Sequence, residues 1–242
     1  MGALRFVTRA SDSPWVDTVW TCTSDGVAEM TSVAGVWWGL VFWEHEGRFF
    51  ASLSGPATGS GTAPVPEGAT FVGIEFQVGT SLRTLPTPEL VDGAVELPDV
   101  TRRTFRLDGG RFETPRPDDA EALVERLARA GSLVRDPLVS EVRRGRRPEV
   151  SPRTLERRFR ATTGLSQGAV RQIERARDAA RLLASGVPTA AVVSRLGYYD
   201  EPHLSRALRR FIGRTPTQLR DGTGGALGLS IEAESVDQAR TS

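Results

Sequence analysis

Residues 186–216 read GVPTAAVVSRLGYYDEPHLSRALRRFIGRTP, and the rest of the chain is understood outward from them. Ala190, Val193 and Leu196 share one helical face, Thr189 is able to cap the helix, and Gly197 stops it. A second helix starts after YYD, with Asp200 as N-cap and Pro202 suited to its first turn. Leu204, Leu208 and Phe211 fall on a buried face, and Glu201, Ser205, Arg206 and Arg209 on the opposite one. A short helix, a tight glycine turn and a longer polar-faced helix form a helix-turn-helix arrangement.

The second helix has a copy 49 residues earlier. SPRTLERRFRATTGLSQGAVR (151–171) lies over DEPHLSRALRRFIGRTPTQLR (200–220). Ser151 matches Asp200, Leu155 matches Leu204, Arg157 matches Arg206, Phe159 matches Leu208, and Gly164 matches Gly213. Arg153, Glu156, Arg157 and Arg160 line the polar face of this first copy. Between the copies a helix is predicted over 167–184, with Val170, Ile173, Ala176, Ala180 and Leu183 as its packing stripe. Such a helix spans roughly 25 Å and would hold two units a fixed distance apart.

Charge is distributed unevenly. The chain of 242 residues carries a formal net charge of +1 and no lysine. Residues 143–220 hold 18 arginines against 6 acidic residues, while the remainder is net acidic. A segment this basic suits an anionic partner, although a helical region with solvated arginines has the same composition.

Residues 1–115 read as β-rich. GVWWGLVFW, EHEG and RFFASLS form a hairpin pattern turning at 44–47, and 56–68 is a loop by composition. In ATFVGIEFQVG, Val72, Ile74, Phe76 and Val78 alternate with Phe71, Gly73, Glu75 and Gln77. Trp37, Trp38 and Trp43 belong either to a packed core or to an aromatic-lined ligand pocket. The lone Cys22 reads as a small hydrophobe, and neither histidine suggests a metal site: His203 reads as a capping or packing residue. PDDAEALVERLARAG is a capped helix ending at Gly131, and DPLVSEVRRG (136–145) a second short one. No phosphate loop, dinucleotide fingerprint or acid–base pair is recognisable, so no enzyme and no cofactor is expected. No apolar run is long enough for a membrane span and no signal-peptide core is present, which favours the cytoplasm.

SPRTLERRFRATTGLS, IERARDAARLLASG and VVSRLGYYDEPHLSRALRRFIGRTPTQLR together resemble the AraC-type transcriptional regulators. The resemblance covers about residues 136–220, with residues 1–130 more loosely similar to the β-rich domains attached to some members. It implies an α+β chain: a β-rich barrel or sandwich-like unit, cupin-like among the options, followed by an all-α double helix-turn-helix domain. The expected division is a sensor or dimerisation domain over 1–115, a helical linker over 116–135, a DNA-binding domain over 136–220 and a flexible tail over 221–242. Carried over by position, Glu201, Pro202, Ser205 and Arg206 face the major groove in the second unit, and Arg153, Glu156 and Arg157 do so in the first. Arg160, Arg209 and Arg210 fall to the phosphates. Double-stranded DNA is the implied partner, with a small-molecule effector, a second copy of the chain and, for an activator, RNA polymerase beside it. The alternative is a small-molecule-binding or enzymatic β domain carrying a helical protein-interaction module.

One departure stands out. Upstream of Ser151 there is only DPLVSEVRRGRRPEV, with Glu149 where the first unit should have a turn glycine. Either 137–144 supports the first unit through a longer turn, or that unit is a degenerate half.

Overall fold

The computed structural model describes residues 3–143, 145–146 and 149–228. The first half runs β1 (Ala3–Ala10), β2 (Val16–Asp25), β3 (Glu29–Ser32), β4 (Gly39–His45), β5 (Arg48–Ser54), β6 (Gly61–Pro64), β7 (Thr70–Phe76), β8 (Thr80–Leu82), β9 (Ala94–Glu96), β10 (Thr104–Leu107) and β11 (Gly110–Glu113). Then come α1 (Ala120–Arg129), β12 (Leu133–Arg135), α2 (Pro137–Arg143), α3 (Pro152–Thr163), α4 (Gln167–Ala184), α5 (Thr189–Leu196), α6 (Glu201–Phe211), α7 (Pro216–Arg220) and β13 (Leu227–Gly228).

Six strands form one sheet in the order β1-β2-β7-β4-β5-β9, every neighbouring pair antiparallel. β1 and β9 are its edges, so among the described residues the sheet stays open and no closed barrel forms. A second sheet, β13-β3-β6, joins the C-terminal strand to the β half. The β4–β5 hairpin turns at Glu46–Gly47, and the alternation along β7 buries Ile74 and Phe76 on one face. Trp38 stacks on Phe76 at 4.0 Å within this core, and its indole N–H donates to the Thr80 carbonyl. α1 packs Leu123, Val124 and Leu127 into the same core, and β12 pairs with β8. The helix expected as a linker is thus built into the β unit, because its apolar stripe has the sheet to cover.

A second core surrounds α4. Ile173, Ala176, Ala180 and Leu183 meet Phe159 of α3, Val192 of α5, and Leu204 and Leu208 of α6. Val33, Ala34 and Val36 of the β half belong to this core too, so the two halves share buried surface. Within the expected tail, Ala226 accepts from Thr31 N and β13 pairs with β3; residues 229–242 lie outside the described residues.

The repeated glycines mark where the β half meets the repeat. Gly164 (φ 75°) and Gly213 (φ 74°) each follow a repeat helix in the left-handed region. A β-carbon at Gly164 would come within 2.3 Å of Val91, and one at Gly213 within 2.8 Å of Thr31. Both positions therefore need glycine twice over, for the backbone turn and for the close approach.

Candidate nucleic-acid interface

α6 starts cleanly because Asp200 accepts from His203 N at 2.6 Å and Pro202 occupies its first turn. Leu204 and Leu208 are fully buried, which fixes the helix rotation and turns Glu201, Pro202, Arg206, Arg209 and Arg210 outward. Ser205 is partly exposed on the same side. α5 lies before it, ended by Gly197 in the left-handed region. Thr189 is inside α5 rather than capping it: Pro188 stands at the N-cap without a side-chain hydrogen bond. Tyr198 is buried under the Arg175 guanidinium, while Tyr199 projects from the turn with 91% of its surface exposed. His203 packs edge-on against Tyr198 and accepts from Tyr199 N.

The end of α6 is completed by the β half. Its final carbonyls lack partners within the helix. Ala34 N donates to Phe211 O at 2.7 Å, and Ser60 N donates to Arg210 O at 2.8 Å. The Ser60 hydroxyl also reaches the Arg209 and Arg210 carbonyls.

α3 repeats the layout. Ser151 Oγ accepts from Thr154 N at 3.1 Å, Phe159 is buried, and Arg153, Arg157 and Arg160 are exposed. Its support is α2, joined to α3 by residues 144–151 rather than by a short glycine turn. Asp136 holds the two helices together. Its Oδ1 accepts from Leu138 N and Val139 N, capping α2, while Oδ2 accepts from Arg158 Nε at 2.7 Å and from the Thr162 hydroxyl. Burial pushes this carboxyl up, but the Arg158 hydrogen bond and the two amides outweigh it and hold it below its usual range.

The arginines divide by what they touch. Arg143 pairs with Glu174, Arg158 with Asp136, Arg160 with Glu156, and Arg181 with Asp178. Arg210 lies over the Phe211 ring and Arg177 over Trp37. Arg214 is buried and donates to Thr31 Oγ1 and Ala226 O, fastening the helices to β3 and the C-terminal strand. Arg153, Arg157, Arg206 and Arg209 are different. All four are exposed, and among the described residues their side chains make no hydrogen bond or ion pair. They occupy the outward faces of the two repeat helices; Arg171 of α4, Arg195 of α5 and Arg220 of α7 are likewise exposed and unpaired among the described residues.

Comparison with known proteins agrees with this geometry. A helix-turn-helix domain family matches residues 146–222. Residues 146–222 thus form a helix-turn-helix domain. Over 73 residues the chain is 38% identical to the HTH-type transcriptional regulator RipA of Corynebacterium glutamicum, a match covering 30% of this chain and 22% of RipA. No solved structure matches the chain.

The helix-turn-helix domain contains interactions that residue spacing did not disclose. Glu156, carried over as a groove-facing residue, pairs with Arg160 and accepts from Gln167 N, which helps cap α4. Repeat matching aligns positions but says nothing about partners outside the copy. Nor does it show that Asp136 joins α2 to α3.

The tryptophans considered for a pocket separate in the structure. Trp38 is core. Trp43 stacks on Phe50 and Phe71 across the strands. Trp37 lines a cavity between the sheet and α4. Among the described residues no group of three or more His, Cys, Asp or Glu could hold a metal ion, and no helix is long and apolar enough to cross a membrane.

Proposed function

We propose that this chain is a sequence-specific double-stranded-DNA-binding regulator of transcription. α6 and α3 enter successive major grooves, with α4 as the strut between them. The observation that carries this is that Arg157 and Arg206, at corresponding places on two capped helices, are exposed and unpartnered, with Arg153 and Arg209 unpartnered beside them. Guanidinium groups with no internal acceptor are available to phosphate oxygens and to guanine O6 and N7. The helix-turn-helix match to residues 146–222 supports the same reading.

Arg206, with Glu201, Pro202 and Ser205, reads base edges in this proposal. Arg209 and Arg210 hold phosphates, and Tyr199 flanks the entry of α6. In the first unit Arg153 and Arg157 do the reading, Arg160 faces the backbone, and Glu156 mainly orders α3 against α4. α2 supports α3 through Asp136, so both units contribute. Residues 136–220 constitute the DNA-binding part and residues 1–115 the sensing or dimerisation part.

Anisotropy titration against a panel of promoter fragments over a range of salt tests this. Arg206→Ala is expected to cost roughly 1–3 kcal/mol and to relax discrimination at one base position. Arg209→Ala is expected to weaken all duplexes alike and to reduce the log–log salt slope by about one. Equal affinity for every duplex at physiological salt would refute sequence reading.

A further inference from the structure

Between α4 and the face of the six-stranded sheet opposite α1 lies a cavity of about 390 Å³. Its two sides carry opposite charge. The sheet contributes Asp17 from β2 and Glu75 from β7, and α4 contributes Arg177 and Arg181, one turn apart; Arg9 of β1 also lines the cavity, its guanidinium already engaged by Glu121 and the Pro117 carbonyl. Trp20 and Trp37 supply apolar surface between them. The Trp20 indole packs against Gly73, where a β-carbon would come within 2.0 Å of the ring. That contact holds the indole at the cavity wall.

Glu75 and Arg177 attract each other across this space, yet among the described residues they form no ion pair within 4.0 Å. Arg177 is held from behind: its Nη1 donates to Ala34 O at 2.9 Å, and its guanidinium lies 4.4 Å from the Trp37 ring centroid. Arg181 is partly used by Asp178.

We propose that this cavity binds a small zwitterion with an apolar or aromatic body, of which a free aromatic α-amino acid is the type. Its ammonium would lie on Glu75 and Asp17, its carboxylate on Arg177 and Arg181, and its body against Trp20. Charge complementarity selects this class. A cation alone meets the two arginines, an anion alone meets the two carboxylates, and a neutral guest strips water from both without replacing it. Only a guest of both signs satisfies both walls. The volume falls in the range of small-molecule sites. Burial pushes the Glu75 carboxyl up to about 7, against the attraction of Arg177 and the indole N–H groups of Trp37 and Trp20. Bound there, the guest would tie β2 and β7 to α4. Its effect on DNA reading rests on the function proposed above, but binding itself does not.

The test therefore uses the full chain without DNA, by calorimetry and by the emission of its own tryptophans. The probes are L-phenylalanine, L-tyrosine, L-leucine and L-methionine, with phenethylamine and 3-phenylpropionate as single-charge analogues of the first. At least one amino acid is expected to bind and shift the emission, with each single-charge analogue of the aromatic one weaker by about tenfold or more. Glu75→Gln, which preserves shape, and Arg181→Met, at the more open end, are each expected to weaken the amino acid about tenfold. Circular dichroism checks that both variants fold. Failure of every amino acid to bind at millimolar concentration would overturn the proposal. So would a single-charge analogue binding as tightly as L-phenylalanine, or unchanged affinity in both folded variants.

Discussion

Glu75 leaves β7 on the side turned toward α4, where loss of water is the main force on its carboxyl. Attraction to Arg177 opposes that force, Asp17 adds to it, and the indole N–H groups of Trp37 and Trp20 oppose it again; the outcome is about 7. An unfolded glutamate titrates near about 4.3. The folded value is the higher, so folding favours the protonated form. The resulting stability is complete below the unfolded value and is lost as pH rises through about 7. Glutamine has no proton to lose, so Glu75→Gln should gain stability relative to the parent between mildly acid and mildly alkaline pH. The gain should be on the order of 3 kcal/mol at most. Denaturant titrations of both proteins at the two pH values measure it, and a difference independent of pH would show that Glu75 titrates as if in water. Asp136 behaves in the opposite sense. Its folded value is depressed, so its contribution is present above the unfolded value and fades on acidification.

At the scale of elements, α2 depends on one carboxylate. A seven-residue helix is too short to be stable alone, and Asp136 gives it both a cap and an anchor to α3. Asp136→Ala is expected to cost about 1–3 kcal/mol. Amides of residues 139–143 should exchange faster with solvent while those of α6 stay protected. Equal loss of protection in α6 would mean that the two repeat units unfold as one. This arrangement was only half legible in the sequence. The bounds of α4 at Gln167 and Ala184 follow from a serine cap, a sustained stripe and a following glycine, all local signals. The β4–β5 turn and the alternation of β7 are local as well. The partnership of β2 with β7 joins segments some 50 residues apart in the chain, and alternation fixes a strand's faces without naming its neighbour. The cavity was hidden for the same reason: Glu75 is one alternating residue until α4 is laid over it. The matched glycines were visible as a repeat, but their contact with Val91 and Thr31 was not.

On the scale of the whole molecule, the question is whether the halves act together. Val33, Ala34 and Val36 are buried in the helical core, Ala34 and Ser60 complete the end of α6, and Arg214 fastens the helices to Thr31. The acidic half and the basic half also meet across the Glu75–Arg177 cavity. These ties predict that the β half and the helix-turn-helix domain unfold in a single transition. The sequence supplies separate reporters. All five tryptophans lie between residues 15 and 43, within the β half, while α3 to α7 carry most of the helix. Indole emission and helical circular dichroism should therefore give coincident denaturation curves. Arg214→Ala removes two hydrogen bonds across the junction, to Thr31 and Ala226, with a third to the neighbouring Gly213 carbonyl, and leaves the Thr31 hydroxyl without its donor. It should move both midpoints together, at a cost of roughly 1–3 kcal/mol. Were emission and circular dichroism to separate in the parent, the halves would be independent bodies. A ligand held between sheet and α4 would then have no rigid path to the repeat helices. Coincidence in the parent and separation in Arg214→Ala would instead identify this junction as the link through which the β half sets the position of α6.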